Sequence, residues 1–147
     1  MKKIYLMSFL ILTAIIFSGC SSSNQDQTEN QPEALGVFDK KGNTVVYFFW
    51  GDGCPHCENQ KPFLEEMENK YPDLEIKMFE TWSDRDNAEL FQEMAEAYGI
   101  EARGVPATFI GEAEPIIGYR ESMNENIEQK ISDCIENGCI SPADKLK

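Results

Sequence analysis

The feature that most constrains this chain is an apolar run that ends shortly before two closely spaced cysteines. Val45–Trp50 contains only apolar and aromatic residues, which predicts a buried strand. A short loop rich in glycine follows and leads to Cys54 and Cys57. The order predicts a strand, a tight turn and a helix whose first turn carries the cysteines.

The cysteine pair, Cys54-Pro55-His56-Cys57, has the spacing of a dithiol that can close into a disulfide. At the start of a helix, unpaired backbone N–H groups and the helix dipole stabilise the Cys54 thiolate. His56, when protonated, adds positive charge, and the fixed φ of Pro55 suits an early helical position. These four residues are the catalytic candidates. We expect an exposed, reactive Cys54 with Cys57 as the resolving partner.

The rest of the chain alternates between strand and helix signals. Phe63, Leu64 and Met67 lie on one side of the helix that follows the cysteines, and Pro62 predicts a kink in it. The patterns predict strands at 45–50, 74–79, 103–111 and 114–119, and helices at 57–70, 83–98 and 123–137. This order indicates an α/β fold with a central mixed β-sheet and helices on both faces.

The chain resembles the thioredoxin superfamily, and specifically its exported, membrane-tethered members. The resemblance rests on Trp50 before the cysteine motif, Pro62 in the motif helix, the Gly104-Val105-Pro106 step and Gly118. It implies a thioredoxin fold. The dipeptide between the cysteines resembles DsbA-type enzymes, but the short distance to Pro106 leaves no room for their inserted helical domain.

The resemblance also implies a substrate-binding site beside the cysteines. The Val105–Pro106 bond would be cis, which would leave the Val105 backbone N–H and C=O free to pair with an extended substrate. Trp50 would belong to the same rim. An ordinary trans proline that opens a strand is the alternative.

The expected chemistry is thiol–disulfide exchange with protein substrates, either as oxidant or as reductant. Exported, tethered relatives with thioredoxin-sized bodies frequently act as reductants, for example in cytochrome c maturation. The direction of exchange therefore stays open, as does the identity of the membrane or soluble redox partner. Phe48 stands where members of the superfamily often carry a buried acid. No cofactor is expected, and no metal, although a soft-metal (copper) site at Cys54 and Cys57 or a binding module with a fixed disulfide are alternatives.

Cys134 and Cys139 form the second candidate pair. They lie at the end of the last predicted helix, where Asn137 and Gly138 give a natural stop. A structural disulfide that clamps the C-terminus is the first interpretation. A second redox couple is the alternative.

The first third of the chain resembles an export signal and a tether. Lys2 and Lys3 precede an apolar run, and small residues precede Cys20, as in a bacterial lipoprotein cleavage box. We expect a lipoprotein signal peptide at 1–19, a lipidated Cys20 within a flexible polar linker at 20–34, and the thioredoxin-like domain at 35–147. An uncleaved signal anchor is the alternative. Either arrangement predicts an extracytoplasmic, membrane-anchored location in the cell envelope.

The charge balance excludes one class of partner. The chain has 26 acidic and 13 basic residues and a formal net charge of −13. Binding to nucleic acid needs a basic face, so nucleic acid is not expected as a partner. The acidic surface is typical of a soluble domain.

Overall fold

The computed structural model describes residues 42–147. The predicted signal peptide, Cys20 and the linker at 20–34 lie outside the described residues. The described elements are β1 Thr44–Trp50, α1 Pro55–Lys70, β2 Leu74–Glu80, α2 Arg85–Ala97, β3 Ala107–Ile110, β4 Ile116–Ile117 and α3 Asn124–Asn137, with 3-10 turns at Glu121–Met123 and Pro142–Leu146. None of the helices in this part of the chain has the length and hydrophobicity that a membrane crossing requires.

The four strands form one mixed sheet in the order β2-β1-β3-β4. β1 and β2 run parallel and are joined by α1 as the crossover helix. β3 is antiparallel to both β1 and β4. The predicted α/β class, with a mixed sheet between helices, is confirmed, and between β2 and β3 the described chain contains one helix and no inserted helical domain.

β1 divides the hydrophobic core into two layers because its side chains alternate between the faces of the sheet. Val46 and Phe48 pack with α1 and α3 on one face. Val45, Tyr47 and Phe49 pack with α2 and with the C-terminal 3-10 turn on the other face. All five side chains are buried. A strand that is covered on both faces is apolar at every position. The sequence of β1 therefore shows no alternation of apolar and polar residues.

α1 begins two residues earlier than the predicted helix at 57–70. Pro55 occupies the start of the helix, where its missing N–H costs nothing. The helix continues through Pro62 to Lys70, and Phe63 and Leu64 are buried against the sheet. The cysteine motif is therefore fixed to a long helix that is anchored in the core.

β4 is much shorter than the predicted strand at 114–119. Pro115 precedes it and has no N–H to donate to a ladder. Gly118 follows it with a φ of 79°, which turns the chain out of the strand direction. Of the residues in the predicted strand, only Ile116 and Ile117 form strand pairs with β3. The edge of the sheet beside β3 is thus formed by a two-residue strand.

Candidate active site

Cys54 is the N-cap residue of α1 and has extended backbone angles, with φ −77° and ψ 112°. Its Sγ accepts a hydrogen bond from the backbone N–H of Cys57, at 3.2 Å. Its own N–H donates to the carbonyl of Gly51 at 3.1 Å, which closes the loop between β1 and α1. Cys54 and Cys57 are joined in a disulfide. The helix N-terminus therefore supplies a donor directly to the sulfur that the sequence predicts to be reactive.

The prediction of an exposed Cys54 is wrong for the disulfide form. Cys54 is 4% exposed and Cys57 is 0% exposed. Cys54 is covered because the loop before β3 lies against it, with the carbonyl oxygen of Val105 3.8 Å from Cys54 Sγ. In the disulfide form this loop therefore shields Cys54 from solvent.

The loop that covers Cys54 contains Val105 and Pro106. The peptide bond between these residues is cis. Pro106 is buried, and its carbonyl accepts a hydrogen bond from the Gly118 N–H at 2.7 Å. Within residues 42–147, neither the N–H nor the C=O of Val105 takes part in a backbone hydrogen bond. Val105 therefore presents its backbone polar groups beside the disulfide.

His56 and Pro55 are exposed in the first turn of α1. His56 faces an open groove of about 360 Å³ that lies between α1 and the chain that follows β4. The other lining residues are Ile117, Gly118, Tyr119, Arg120 and Met123. Arg120 places a cationic side chain at this groove, on a chain that is acidic as a whole.

Trp50, the third predicted substrate-binding residue, is half-buried at the end of β1. The ammonium nitrogen of Lys61 lies 3.4 Å from the centroid of its indole ring, close enough for a cation–π interaction. Lys61 also pairs with Glu58 at 2.7 Å. The indole is therefore held under a lysine of α1, with part of its surface left at the rim of the site.

Trp82 is a residue of the site that the sequence analysis missed. Its indole lies directly over Gly51, so that a Cβ at Gly51 would overlap the ring. Trp82 is nevertheless 61% exposed. It lies between β2 and α2, and its sequence neighbours give no pattern that connects it to the cysteine loop. The structure thus adds an exposed aromatic side chain beside the cysteine motif.

Glu80, at the end of β2, ties the cysteine loop to the loop that follows β2. Its carboxylate accepts backbone hydrogen bonds from Asp52, Trp82, Ser83 and Asp84 at 2.9–3.1 Å. It also accepts a bond of 2.5 Å from the Ser83 hydroxyl. The Ser83 hydroxyl is the largest cause that lowers the pKa of Glu80 to about 2, and the backbone N–H groups add to it. The ionised Glu80 carboxylate therefore links the loop before α1 to the loop after β2 through hydrogen bonds.

Gln60 and Thr108 form a polar pair inside the core on the α1 side of the sheet. The amide nitrogen Nε2 of Gln60 donates to Thr108 Oγ1 at 2.8 Å. Phe48, which faces Thr108 across β1 and β3, is fully buried. The sequence signal for this pair is a glutamine three residues after Cys57, among the apolar positions of a helix.

Cys134 and Cys139 are joined in a disulfide at the C-terminal end of α3. Gly138 lies between them with a φ of 75° and reverses the chain. Gly111, at the end of β3, lies against both cysteines, and its missing Cβ leaves the space that they fill. Within the described residues no group of three or more His, Cys, Asp or Glu side chains is placed to hold a metal ion.

We predict that Glu80→Gln lowers the free energy of unfolding at pH 7 and that this loss fades in acid. The folded-state pKa of Glu80 lies below its ordinary value of 4.5, so its stabilisation is present above about pH 4.5 and is lost as the pH falls towards 2. Urea unfolding at several pH values between 7 and 2 measures the difference between the two proteins.

The matched control for this prediction is Glu93→Gln. Glu93 is an exposed carboxylate on α2, and within residues 42–147 it makes no hydrogen bond or ion pair. The control changes the net charge equally but should leave the pH profile of the wild type unaltered. If Glu80→Gln lowers the free energy of unfolding by the same amount at every pH, the ionised Glu80 carboxylate does not stabilise the two loops in the way predicted.

No family model matches the sequence, and no curated protein matches it. Among solved structures, the chain is similar to a Chlorobium tepidum protein assigned as the thiol:disulfide interchange protein DsbE. That likeness has 20% identity, covers 64% of this chain and 81% of the other, and has a TM-score of 0.49.

Two thioredoxins show a similar sequence identity, coverage and TM-score. Thioredoxin O2 from Arabidopsis thaliana is 18% identical over 61% of this chain and 76% of its own, with a TM-score of 0.49. Mitochondrial thioredoxin 3 from Saccharomyces cerevisiae is 19% identical over 64% and 81%, with a TM-score of 0.47. The fold follows from the chain itself: the strand order, the cysteine pair that opens α1 and Pro106 before β3 are the features of a thioredoxin fold.

Proposed function

We propose that this chain is an extracytoplasmic thiol-disulfide oxidoreductase that exchanges disulfides with protein substrates through Cys54 and Cys57. The observation that carries the proposal is the disulfide at the N-terminus of α1. There the backbone N–H of Cys57 donates to the Sγ of Cys54. A donor aimed at this sulfur favours its anionic form, and the thiolate is the species that attacks disulfides.

The exchange proceeds in two steps that move two electrons. In the dithiol form, the Cys54 thiolate attacks one sulfur of a substrate disulfide, and the other substrate sulfur leaves as a thiolate and takes up a proton. Cys57 then loses its proton and attacks Cys54, which closes the disulfide and releases the second substrate sulfur. The same steps in reverse donate a disulfide to a substrate dithiol.

The backbone groups of Val105 favour a protein substrate that binds in an extended conformation. The Val105 N–H and C=O make no backbone hydrogen bond within residues 42–147, and the Val105 carbonyl lies 3.8 Å from Cys54 Sγ. A substrate segment that pairs with these groups in the manner of an added strand would bring its own disulfide to Cys54. Main-chain pairing reads no side chain, so it suits an enzyme that acts on varied sequences.

The direction of exchange depends on the reduction potential of the pair relative to its partners. Stabilisation of the Cys54 thiolate favours the dithiol form and makes the disulfide a stronger oxidant. The excess of acidic residues acts in the opposite sense because it disfavours one more anion. A reductant of the cytochrome c maturation kind and an oxidant use the same two sulfurs.

We predict that Cys54→Ser abolishes the reduction of insulin by the protein in the presence of dithiothreitol, down to the uncatalysed rate. Cys57→Ser keeps the attacking thiol but lacks the resolving one. After dithiothreitol has been removed, it should therefore accumulate a mixed disulfide with insulin, which is visible on a non-reducing gel and by mass spectrometry.

The control is the double variant Cys134→Ala/Cys139→Ala, which removes the disulfide at the end of α3. It should keep the insulin activity of the wild type. Full activity of the Cys54→Ser protein would rule out the proposed exchange, and loss of activity in the control alone would assign the reaction to the second pair.

We further propose that the domain is held at the cell envelope by lipid on Cys20. This follows from the basic start, the apolar run and the small residues before Cys20. In a bacterial host, the full chain should sediment with membranes, and Cys20→Ala should prevent this lipid attachment. Ser23→Ala, three residues away, is the control and should leave lipidation unchanged. The absence of any lipid on Cys20 by mass spectrometry would contradict the anchor.

A further inference from the structure

The buried amide of Gln60 lies on the same face of α1 as the resolving cysteine. Gln60 follows Cys57 by three positions, and residues at this spacing are neighbours on a helix surface. Both side chains are 0% exposed. Gln60 is thus a buried polar group on the same helix face as Cys57, whose sulfur gains a hydrogen when the disulfide is reduced.

The amide of Gln60 is only half satisfied in the disulfide form. Nε2 donates to Thr108 Oγ1 at 2.8 Å, which fixes the orientation of the side chain. Oε1 is buried and has no hydrogen-bond partner within the described residues. A buried acceptor without a donor is unfavourable, since it has lost its hydrogen bonds to water. The disulfide state of the protein carries this cost.

The α1 side of the core offers few other polar groups to Cys57. Within residues 42–147, Gln60 and Thr108 are the buried polar residues. The hydroxyl of Tyr119 donates a hydrogen bond to Asn124 Oδ1 at 2.8 Å. A second unpartnered acceptor, on Glu75, is in register with Val45 and therefore belongs to the opposite face of the sheet.

We propose that Gln60 is a positioning residue for the redox pair, and that its Oε1 accepts a hydrogen bond from the Cys57 thiol when the disulfide is reduced. The inference rests on the proposed function. In the disulfide form Cys57 has no hydrogen to donate and Oε1 stays unpaired. In the dithiol form the Cys57 S–H, a weak donor, donates a hydrogen bond to Gln60 Oε1.

The consequence is a preference for the reduced protein. Two molecules of glutathione reduce the disulfide and become glutathione disulfide, so that two electrons and two protons arrive at the pair. One proton remains on Cys57 and points at Gln60, and the proton of Cys54 is released when its thiolate forms. Because Gln60 is better satisfied after reduction, it makes the disulfide a stronger oxidant.

The test is the redox equilibrium of Gln60→Met with glutathione, in the full chain with Cys20, Cys134 and Cys139 replaced by Ala. Methionine keeps the approximate shape of glutamine but has no amide oxygen. The loss of the Thr108 bond affects both redox states alike. We expect the equilibrium constant for disulfide formation to rise about tenfold, a potential more negative by about 30 mV.

Asn59→Met is the matched control, because Asn59 is the exposed neighbour of Gln60 on the same helix. It should leave the equilibrium constant of the parent protein unchanged. A folded Gln60→Met protein with an equilibrium constant within twofold of its parent would overturn the inference. Failure of the parent itself to equilibrate with glutathione would instead overturn the proposed function.

A second measurement does not need the Gln60→Met protein to fold. In the same background with Cys54→Ala, Cys57 is the single thiol, and its S–H stretching band can be recorded by Raman spectroscopy. We expect the band below the frequency of an alkanethiol in an apolar solvent, as for a thiol that donates a hydrogen bond. A band at the apolar-solvent frequency would overturn the inference.

Discussion

The hydrogen bond from the Cys57 backbone N–H to the Cys54 sulfur is the interaction on which the account of this site depends. It exists because Cys54 is the cap of α1 and its sulfur takes the place that a serine or aspartate oxygen takes at other helix starts. The cap converts an ordinary structural requirement, the satisfaction of orphan N–H groups, into stabilisation of a sulfur anion. The same hydrogen bond from the Cys57 N–H to Cys54 Sγ therefore caps the helix and favours the thiolate of Cys54.

The two core layers hold this contact in place. α1 is anchored through Phe63, Leu64 and Met67, so the cap cannot shift without opening the core. Glu80 fixes the loop on one side of Cys54, and Val105 closes the other. The Cys54 sulfur is thus buried between the helix start, the loop after β1 and the loop before β3.

The first strand and the helix that carries the cysteines could be predicted from the sequence, because the apolar run and the Cys-x-x-Cys spacing are local signals. The burial of Cys54 could not, since it is imposed by Val105, fifty-one positions away. Glu80 was missed in part for the same reason, since its bond from the Asp52 N–H joins positions 28 apart, whereas its other backbone donors lie within four residues. Gln60 was overlooked because a lone polar residue at a buried helical position carries no local pattern. β4 was predicted too long, since Ile116 and Ile117 resemble the centre of a strand whose ends Pro115 and Gly118 cut short.

The most direct test of the central claim is the pH dependence of alkylation of Cys54 by iodoacetamide in the reduced protein, followed by mass spectrometry of the modified peptide. If the helix start stabilises the thiolate, half-maximal reactivity should occur well below pH 8.5, the region in which a free cysteine ionises. Half-maximal reactivity at or above that pH, or a Cys54 that stays unmodified in the reduced, folded protein, would contradict the account.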